Sequence, residues 1–182
     1  GTMVWADQSG SGHDAIQPNI DAQPTLVEYG WQGPTGHDVM RFDADYFNPV
    51  TLDSVDGSLN VFVVTKAMQT GAYHNIIDQG DSMIWIDPSG HVECHNPNPG
   101  ARMVSTTTVG ENMTINLAQN GGNGQLFING QEEATGVNRL VPLSAQYSLF
   151  NRSNAQAFQG DIAEMLIYGG PLSDQQRLAI QG

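Results

Sequence analysis

Short apolar stretches alternate with polar turns along the whole chain, and this pattern predicts β-strands. Seven segments carry the signal: residues 60–68, 82–87, 91–95, 113–119, 125–130, 147–150 and 161–168. The β-branched runs lie between turns rich in glycine and proline, of which the chain has 21 and 9, and this is typical of an all-β domain. The segment NVFVVT at 60–65 is apolar on both faces, as expected for a central strand that is covered on two sides.

The segment IDPSGH predicts a hairpin. Pro88 suits the second position of a type I turn that begins at Asp87, and Gly90 suits the left-handed residue of a three-residue loop. This turn pairs residue 87 with 91, 86 with 92, 85 with 93, 84 with 94 and 83 with 95. The core face then carries Ile84, Ile86, Val92 and Cys94, and the opposite face carries Met83, Trp85, Asp87, His91, Glu93 and His95.

One helix is predicted at the C-terminal end of the sequence. Ser173, with Gln176 three residues later, forms a capping box, and Leu178 and Ile180 supply an apolar side. The segment INGQ at 128–131 indicates a second hairpin, with a type I′ turn. The pattern therefore predicts many strands and one short helix.

The length of 182 residues predicts a single domain over 1–182, and a domain of this size buries about 70% of its unfolded surface. A lone cysteine, Cys94, excludes an internal disulfide and is expected to be a small buried apolar residue. The opening GTMVW looks like the start of a domain excised from a larger protein. Because no internal disulfide can form, the core must be stabilised by packing alone.

The net charge narrows the range of partners. Nineteen acids against six bases leave a formal charge of −13, so the chain lacks the basic footprint that nucleic acid or an anionic membrane requires. No apolar run approaches the roughly 18 residues that span a bilayer, so membrane insertion is not expected either. The expected partners are a glycan or a surface protein, and the oligomeric state stays open.

The order of the motifs resembles that of LamG-like, concanavalin A-like jelly-roll domains. The matching segments are VWADQSGSGHDA (4–15), VMRFDADYF (39–47), NVFVVTKA (60–67), QLFINGQEEA (125–134), YSLFNRS (147–153) and FQGDIAEMLIYGGPLSDQQRLAI (158–180). The last is the most specific, since it resembles the family's Gly-x-Ile-x-Glu-x-x-x-Tyr strand followed by a Leu-Ser turn and a terminal helix. A further strand that usually precedes the Trp-x-Asp-x-Ser-Gly segment is missing or truncated here.

The resemblance implies two antiparallel sheets packed face to face, one of them concave, with one short C-terminal helix. It also implies structural anchors. Glu164, which regular alternation places on the same face of the last strand as Ile162, is expected to hold the loop at 7–12 by accepting its backbone N–H groups. The alternative is that Glu164 serves a site. Asp7 is expected to bond its own backbone two residues on, and Trp5 to cover the end of the sandwich.

Catalytic motifs are missing from the sequence. Glycosidases of this fold carry a Glu-x-Asp-x-x-Glu pattern, and no segment contains it. The sequence also has no Gly-x-Ser-x-Gly elbow, His-Glu-x-x-His helix or glycine-rich phosphate loop. The protein is therefore not expected to be an enzyme.

The predicted hairpin supplies the candidate ligand-binding residues Trp85, Asp87, His91, Glu93 and His95. An aromatic ring can cover the apolar face of a pyranose while carboxylates and imidazoles bond its hydroxyls. The alternative is an ordinary convex surface with Trp85 packed under a loop. His91 and His95 lie too far apart along one strand, about 13 Å, to share a transition metal with Glu93.

Calcium is the one cofactor that the resemblance suggests. Its candidate ligands are either Asp43 and Asp45 in RFDADYF or Asp78 and Asp81 in IIDQGDS, since oxygen ligands at the rim of the fold would suit Ca²⁺. None of them forms an EF-hand loop. No other cofactor is expected.

The combined interpretation is a non-catalytic recognition module for extracellular carbohydrate, of the lectin or adhesion type. The first alternative is a structural or protein-interaction domain of a virion or cell-surface assembly. A glycan-cleaving enzyme of the same fold comes third. Each of these places the chain outside the cell, at a cell surface or on a virion.

Overall fold

The computed structural model describes residues 1–31, 37–68, 71–79, 83–95, 102–110, 112–137, 144–151 and 156–181. The strands are β1 (Met3–Trp5), β2 (Ala15–Gln17), β3 (Thr25–Trp31), β4 (His37–Asp43), β5 (Phe47–Asp53), β6 (Leu59–Ala67), β7 (His74–Asp78), β8 (Met83–Ile86), β9 (His91–His95), β10 (Met103–Thr108), β11 (Met113–Asn120), β12 (Asn123–Ile128), β13 (Gln131–Val137), β14 (Ser144–Leu149) and β15 (Gln159–Tyr168). A 3-10 turn spans Ile20–Ala22, and α1 spans Asp174–Gln181.

The strands form two antiparallel sheets around one core, which confirms the predicted β-sandwich. One sheet has the order β10-β9-β8-β7-β14-β5, and the other has the order β13-β12-β11-β6-β15-β4-β3. Strands β1 and β2 pair with each other to form a separate two-stranded ribbon. Side chains from both sheets meet in one buried apolar cluster, and burying each large one contributes about 1.5–3 kcal/mol.

The central strand β6 lies between β11 and β15 and is buried on both faces, as predicted. Val61 and Val63 point into the core, whereas Phe62 is buried on the opposite face against the ring of Tyr168 at 6.0 Å. Strand segments lacking a strong apolar pattern, including β3, β4, β5, β7, β10 and β13, were not predicted from the sequence. Their polar residues interrupt the alternation on which that prediction depends.

The hairpin β8–β9 has the predicted register, with Ile84 opposite Cys94 and Trp85 opposite Glu93. Gly90 has φ +90°, and its N–H donates to the Asp87 carbonyl at 2.9 Å, as the expected turn requires. Cys94 is buried as expected, and burial raises the pKa of its thiol to about 12. An uncharged, enclosed thiol of this kind is chemically inert.

Helix α1 begins with the predicted capping box. Gln176 N–H donates to Ser173 Oγ at 3.3 Å, and Ser173 N–H donates to Gln176 Oε1 at 2.9 Å. The prediction that Leu178 lies on a buried apolar side of the helix is wrong, because its side chain is 55% exposed. Arg177 is buried instead, with its guanidinium 3.7 Å from the centre of the Phe127 ring, so a cation–π contact seats the helix on the sheet. The described part of the chain holds no helix of the length and apolarity needed to cross a membrane.

A β-bulge interrupts β15 and changes which face its residues occupy. Ile162 pairs with Thr65, but Glu164 pairs with the next residue, Val64, so one residue of β15 has no partner. Ile162 lies in the core before the bulge, and Met165 lies against the core after it. The expected common face of Ile162 and Glu164 is therefore wrong, because the bulge turns Glu164 outward.

Candidate binding face

The surface of the six-stranded sheet that faces away from the core carries one continuous row of side chains. Its members are cross-strand partners on four adjacent strands, β7 to β10: Asn75, Trp85, Glu93 and Val104. The residues beside them along the strands, Ile84 and Cys94 among them, point into the core. We call these four residues the Trp85 row.

The row is unusual because its polar members are buried. Glu93 and Asn75 are each only 1% exposed, although neither points into the apolar core. Carboxylates are almost never so enclosed unless they are paired. The partners of Glu93 therefore decide what this face can do.

Both carboxylate oxygens of Glu93 accept hydrogen bonds. Trp85 Nε1–H donates to Oε2 at 2.5 Å, and Arg102 Nη2 donates to Oε1 in an ion pair. Glu93 thereby holds the single polar group of the indole and fixes the orientation of the ring. Arg102 is 43% exposed, so the pair joins a buried anion to a cation at the surface.

An aromatic neighbour extends the apolar part of this face. The Tyr73 ring lies 5.0 Å from the Trp85 ring, at an interplanar angle of 40°, and Tyr73 is 37% exposed. Trp85 itself is half-buried. A pair of tilted rings beside a charged guanidinium offers both an apolar surface and hydrogen-bond donors to one ligand.

Two other predicted ligand residues, Asp87 and His91, lie at the turn. Asp87 accepts the backbone N–H groups of Ser89 and His91 at 2.8 and 2.9 Å, and its other oxygen lies 3.5 Å from His91 Nδ1. Its contacts therefore stabilise the turn. The side chain of His95 lies outside the described residues.

Tyr73, Asn75 and Arg102 complete this face and were missed by the sequence analysis. The sequence around residues 73–78 reads YHNIID, whose polar residues hide a strand that is buried at all five of its positions. Arg102 precedes β10 without any motif. The one signal for Tyr73 was an aromatic residue shortly before the apolar pair Ile76–Ile77.

The N-terminal loop is held by its own acids. Asp7 accepts hydrogen bonds from the backbone of Ser9 and His13 at 2.8 and 3.1 Å, and Asp14 accepts from the backbone of Asp7 at 2.8 Å. The Ser9 and His13 bonds lower the pKa of Asp7 to about 2. Glu164 is exposed on β15, so the expectation that it holds this loop is corrected.

Trp5 packs against the aromatic end of the core. Its ring lies 5.9 Å from the ring of Phe47 and 6.2 Å from that of Phe150. This contact joins the β1–β2 ribbon to both the six-stranded sheet and the loop that follows β14.

The two alternative pairs of calcium ligands belong to different sheets, with Asp43 on β4 and Asp78 on β7. Asp45 accepts the N–H of Asp43 at 3.0 Å, while Asp78 lies on β7 of the other sheet, and Asp81 is outside the described residues. Burial, together with the neighbouring Asp43 charge, raises the pKa of Asp45. Across the described ranges, no three acidic, histidine or cysteine side chains are grouped to hold a metal ion. The pair of Asp78 and Asp81 lies partly outside these ranges, so calcium binding stays a prediction.

No protein-family model and no curated protein matches the chain. Solved structures do resemble it. Domain 4 of an extracellular arabinanase from Geobacillus stearothermophilus, in complex with arabinotriose, matches with a TM-score of 0.62 at 15% identity, over 100% of this chain and 88% of that one. The binding of arabinotriose is a property of that domain.

Two further structures resemble the chain. The CBM40 of a Ruminococcus gnavus sialidase, bound to α2,3-sialyllactose, has a TM-score of 0.55 at 18% identity, over 69% of this chain and 83% of that one. A botulinum neurotoxin type C structure, described as interacting with two ganglioside molecules, has a TM-score of 0.60 at 13% identity, over 98% of this chain and 48% of that one. At these identities the likeness establishes the shared fold alone.

Proposed function

We propose that this domain is a non-catalytic carbohydrate-binding module that acts outside the cell, and that a sugar ring lies on the Trp85 row. The observation that carries the proposal is the half-buried Trp85 ring, fixed by a fully buried Glu93 and extended by Tyr73. A tryptophan held by a buried acid is ordered before any ligand arrives. Such preorganisation strengthens binding, because less conformational entropy is lost when the complex forms.

The chemistry of the row suits a pyranose or furanose ring. The C–H groups on one side of a sugar pack on aromatic rings, and its hydroxyls need hydrogen-bonding partners at the edge. The guanidinium of Arg102 has five N–H groups, of which one binds Glu93, so it can also donate to hydroxyls. Support from the fold is general: the arabinanase domain and the CBM40 have the same sandwich with sugars bound to them.

Replacement of Trp85 tests this proposal. Trp85→Ala removes the ring surface, and we expect an affinity loss of at least about tenfold, which corresponds to about 1.4 kcal/mol. The measurement is isothermal titration with oligosaccharides first identified on a glycan array. A panel of neutral and acidic glycans that shows no binding would contradict the proposal.

Two tyrosines of equal exposure provide a matched control. Tyr73 and Tyr168 are each 37% exposed, but Tyr73 lies against Trp85 while Tyr168 lies on the seven-stranded sheet. Tyr73→Ala should weaken sugar binding several-fold, and Tyr168→Ala should leave it unchanged. Equal effects of the two substitutions would place the binding site elsewhere.

A protein-interaction domain of a cell-surface or virion assembly is the second candidate. The β1–β2 ribbon favours it, because Val4 and Ile16 are cross-strand partners and both are exposed. Exposed apolar clusters mark interaction surfaces in some proteins. Self-association that increases with concentration, measured by light scattering and abolished by Val4→Ser with Ile16→Ser, would support this alternative.

A further inference from the structure

The charges on the candidate face point to one class of glycan. Among its described residues, Arg102 is the one lysine or arginine, and its charge is neutralised by Glu93. The other described cations, Arg41, Lys66 and Arg177, lie on the seven-stranded sheet or on the helix that covers it. Arg139 and Arg152 are outside the described residues.

Among the described residues of the same face, the acids outnumber lysine and arginine. Asp87 lies at the end of the β8–β9 hairpin, and Asp78, which is buried and already engaged in an interaction, lies opposite Met83. The whole chain has a formal net charge of −13. A carboxylate, sulfate or phosphate on a ligand would therefore meet like charges, with no unneutralised cation among the described groups to offset them.

Resting on the proposed function, we infer that this face selects uncharged sugars over acidic ones, and that the Glu93–Arg102 pair sets this selectivity. Glu93 is enclosed, so water cannot screen its charge from Arg102. Because the pair has no net charge, the guanidinium offers a ligand hydrogen bonds without a net electrostatic attraction. Neutral hydroxyls can use such a donor, whereas an anion needs a net positive charge to compensate for its lost hydration.

Glu93→Gln tests the role of the pair directly. The amide oxygen still accepts the Trp85 N–H, but the negative charge beside Arg102 is lost, which leaves a half-exposed cation free to attract anions. We expect the wild-type domain to prefer a neutral oligosaccharide over its acidic counterpart by about tenfold or more. Glu93→Gln should reduce this ratio at least about fivefold.

The matched control is Asp161→Asn. Asp161 forms a bidentate pair with Arg41 at 2.7 and 2.9 Å on the seven-stranded sheet, and this substitution removes the same single negative charge. The control should leave the ratio unchanged. If Glu93→Gln has no more effect than Asp161→Asn, the pair does not set the selectivity and the inference is overturned.

The probes are lactose with sialyllactose, and galactose oligomers with galacturonate oligomers of equal length, each titrated by calorimetry. Acidic oligosaccharides that bind the wild type as tightly as neutral ones, or more tightly, would overturn the inference while leaving the binding module intact. If neither these pairs nor any glycan of the array binds, the proposed function fails and the inference fails with it.

A salt titration of the wild type keeps the test decisive even if Glu93→Gln does not fold. Neutral-sugar binding should not change between about 0.02 and 0.5 M salt, because no net charges meet. Weak binding of the acidic probes should strengthen with salt, since screening reduces repulsion. Weakening with salt would reveal net attraction and would overturn the inference.

Discussion

Glu93 is a carboxylate whose surroundings define the candidate site at the scale of single residues. Alternation along β9 places it on the face opposite the core, where an acid would ordinarily be exposed. Hydrogen bonds from Trp85 and Arg102 instead allow it to be buried. The buried carboxylate of Glu93 therefore fixes the orientation of the Trp85 ring.

Replacing Arg102 and replacing Glu93 should destabilise the fold by different amounts. Arg102→Met leaves a buried carboxylate without its counter-charge, so we expect a loss of about 1–3 kcal/mol in the free energy of unfolding. Glu93→Gln leaves a half-exposed guanidinium that water can solvate, so its cost should be smaller. Urea denaturation measures both, and the reverse order would contradict the buried position of Glu93.

Asp7 predicts a pH dependence of the N-terminal loop. Hydrogen bonds from Ser9 and His13 lower its pKa to about 2 from the ordinary 3.8. A depressed pKa means that the folded loop favours the carboxylate, so this stabilisation is present above about pH 4 and is lost as the pH falls toward 2. The protection factors of the Ser9 and His13 amides, which correct for the intrinsic pH dependence of exchange, should fall over that range, and Asp7→Ala should abolish this change. Protection factors that stay constant from pH 5 to 2 in the wild type would contradict it.

At the scale of elements, the bulge in β15 decides the roles of its residues. A register shift of one position moves every later side chain to the other face, so Met165 and Ile167 contact the core and Glu164 does not. Gly160, just before the bulge, has φ +140°, and a Cβ there would lie 2.5 Å from the Lys66 carbonyl oxygen. The close approach of β6 and β15 therefore requires glycine at this position.

Gly160→Ala should accordingly destabilise the fold. We expect a loss of about 1–3 kcal/mol, because the substitution combines backbone strain with a steric clash against backbone atoms. Gly110→Ala is the matched control, since a Cβ there would meet nothing within 4 Å. Thermal denaturation of the two variants should differ by several degrees. Equal melting temperatures would show that β6 can move away from β15 at little cost.

At the scale of the whole molecule, one acid links the edges of the two sheets. Glu133 on β13 of the seven-stranded sheet accepts hydrogen bonds from both N–H and hydroxyl groups of Thr106 and Thr107 on β10 of the six-stranded sheet. Burial acts to raise the pKa of Glu133, but these bonds outweigh it and the pKa is lowered. The link is thus strongest when Glu133 is ionised, and it weakens as the pH falls through the lowered pKa.

Glu133→Ala should loosen this edge of the sandwich. Because the bonds are partly exposed, we expect a loss of only about 1 kcal/mol, with faster amide exchange in β10 and β13. Glu132→Ala is the control, since Glu132 binds Gln125 within its own sheet. If both variants show the same exchange in β10, Glu133 does not join the sheets.

Calcium binding by the whole domain stays a prediction. A structural ion would raise the melting temperature in millimolar Ca²⁺ relative to EDTA, because a ligand that binds only the folded state stabilises it. Equal melting temperatures would contradict a structural calcium ion. The comparison is independent of which acids are the ligands.

The sequence by itself determined what depends on local chemistry. The β8–β9 register follows from the turn residues between Asp87 and Gly90, and the start of α1 follows from Ser173 and Gln176, because the interacting groups are a few residues apart. The buried central strand β6 followed from its unbroken apolar run. These features predicted an all-β domain with one short helix, and the expectation of two packed sheets came from the resemblance in the order of the motifs.

Only the tertiary structure decided which polar residues are buried and which are exposed. The bulge that turns Glu164 outward, the seat of Arg177 on Phe127, and the meeting of Tyr73 with Trp85 all require contacts between separate strands or loops. Charged groups can be buried when partners from elsewhere in the chain satisfy them, and no local pattern encodes those partners. The hairpin sequence therefore fixed the pairing of Trp85 with Glu93, whereas packing decided what surrounds these two side chains.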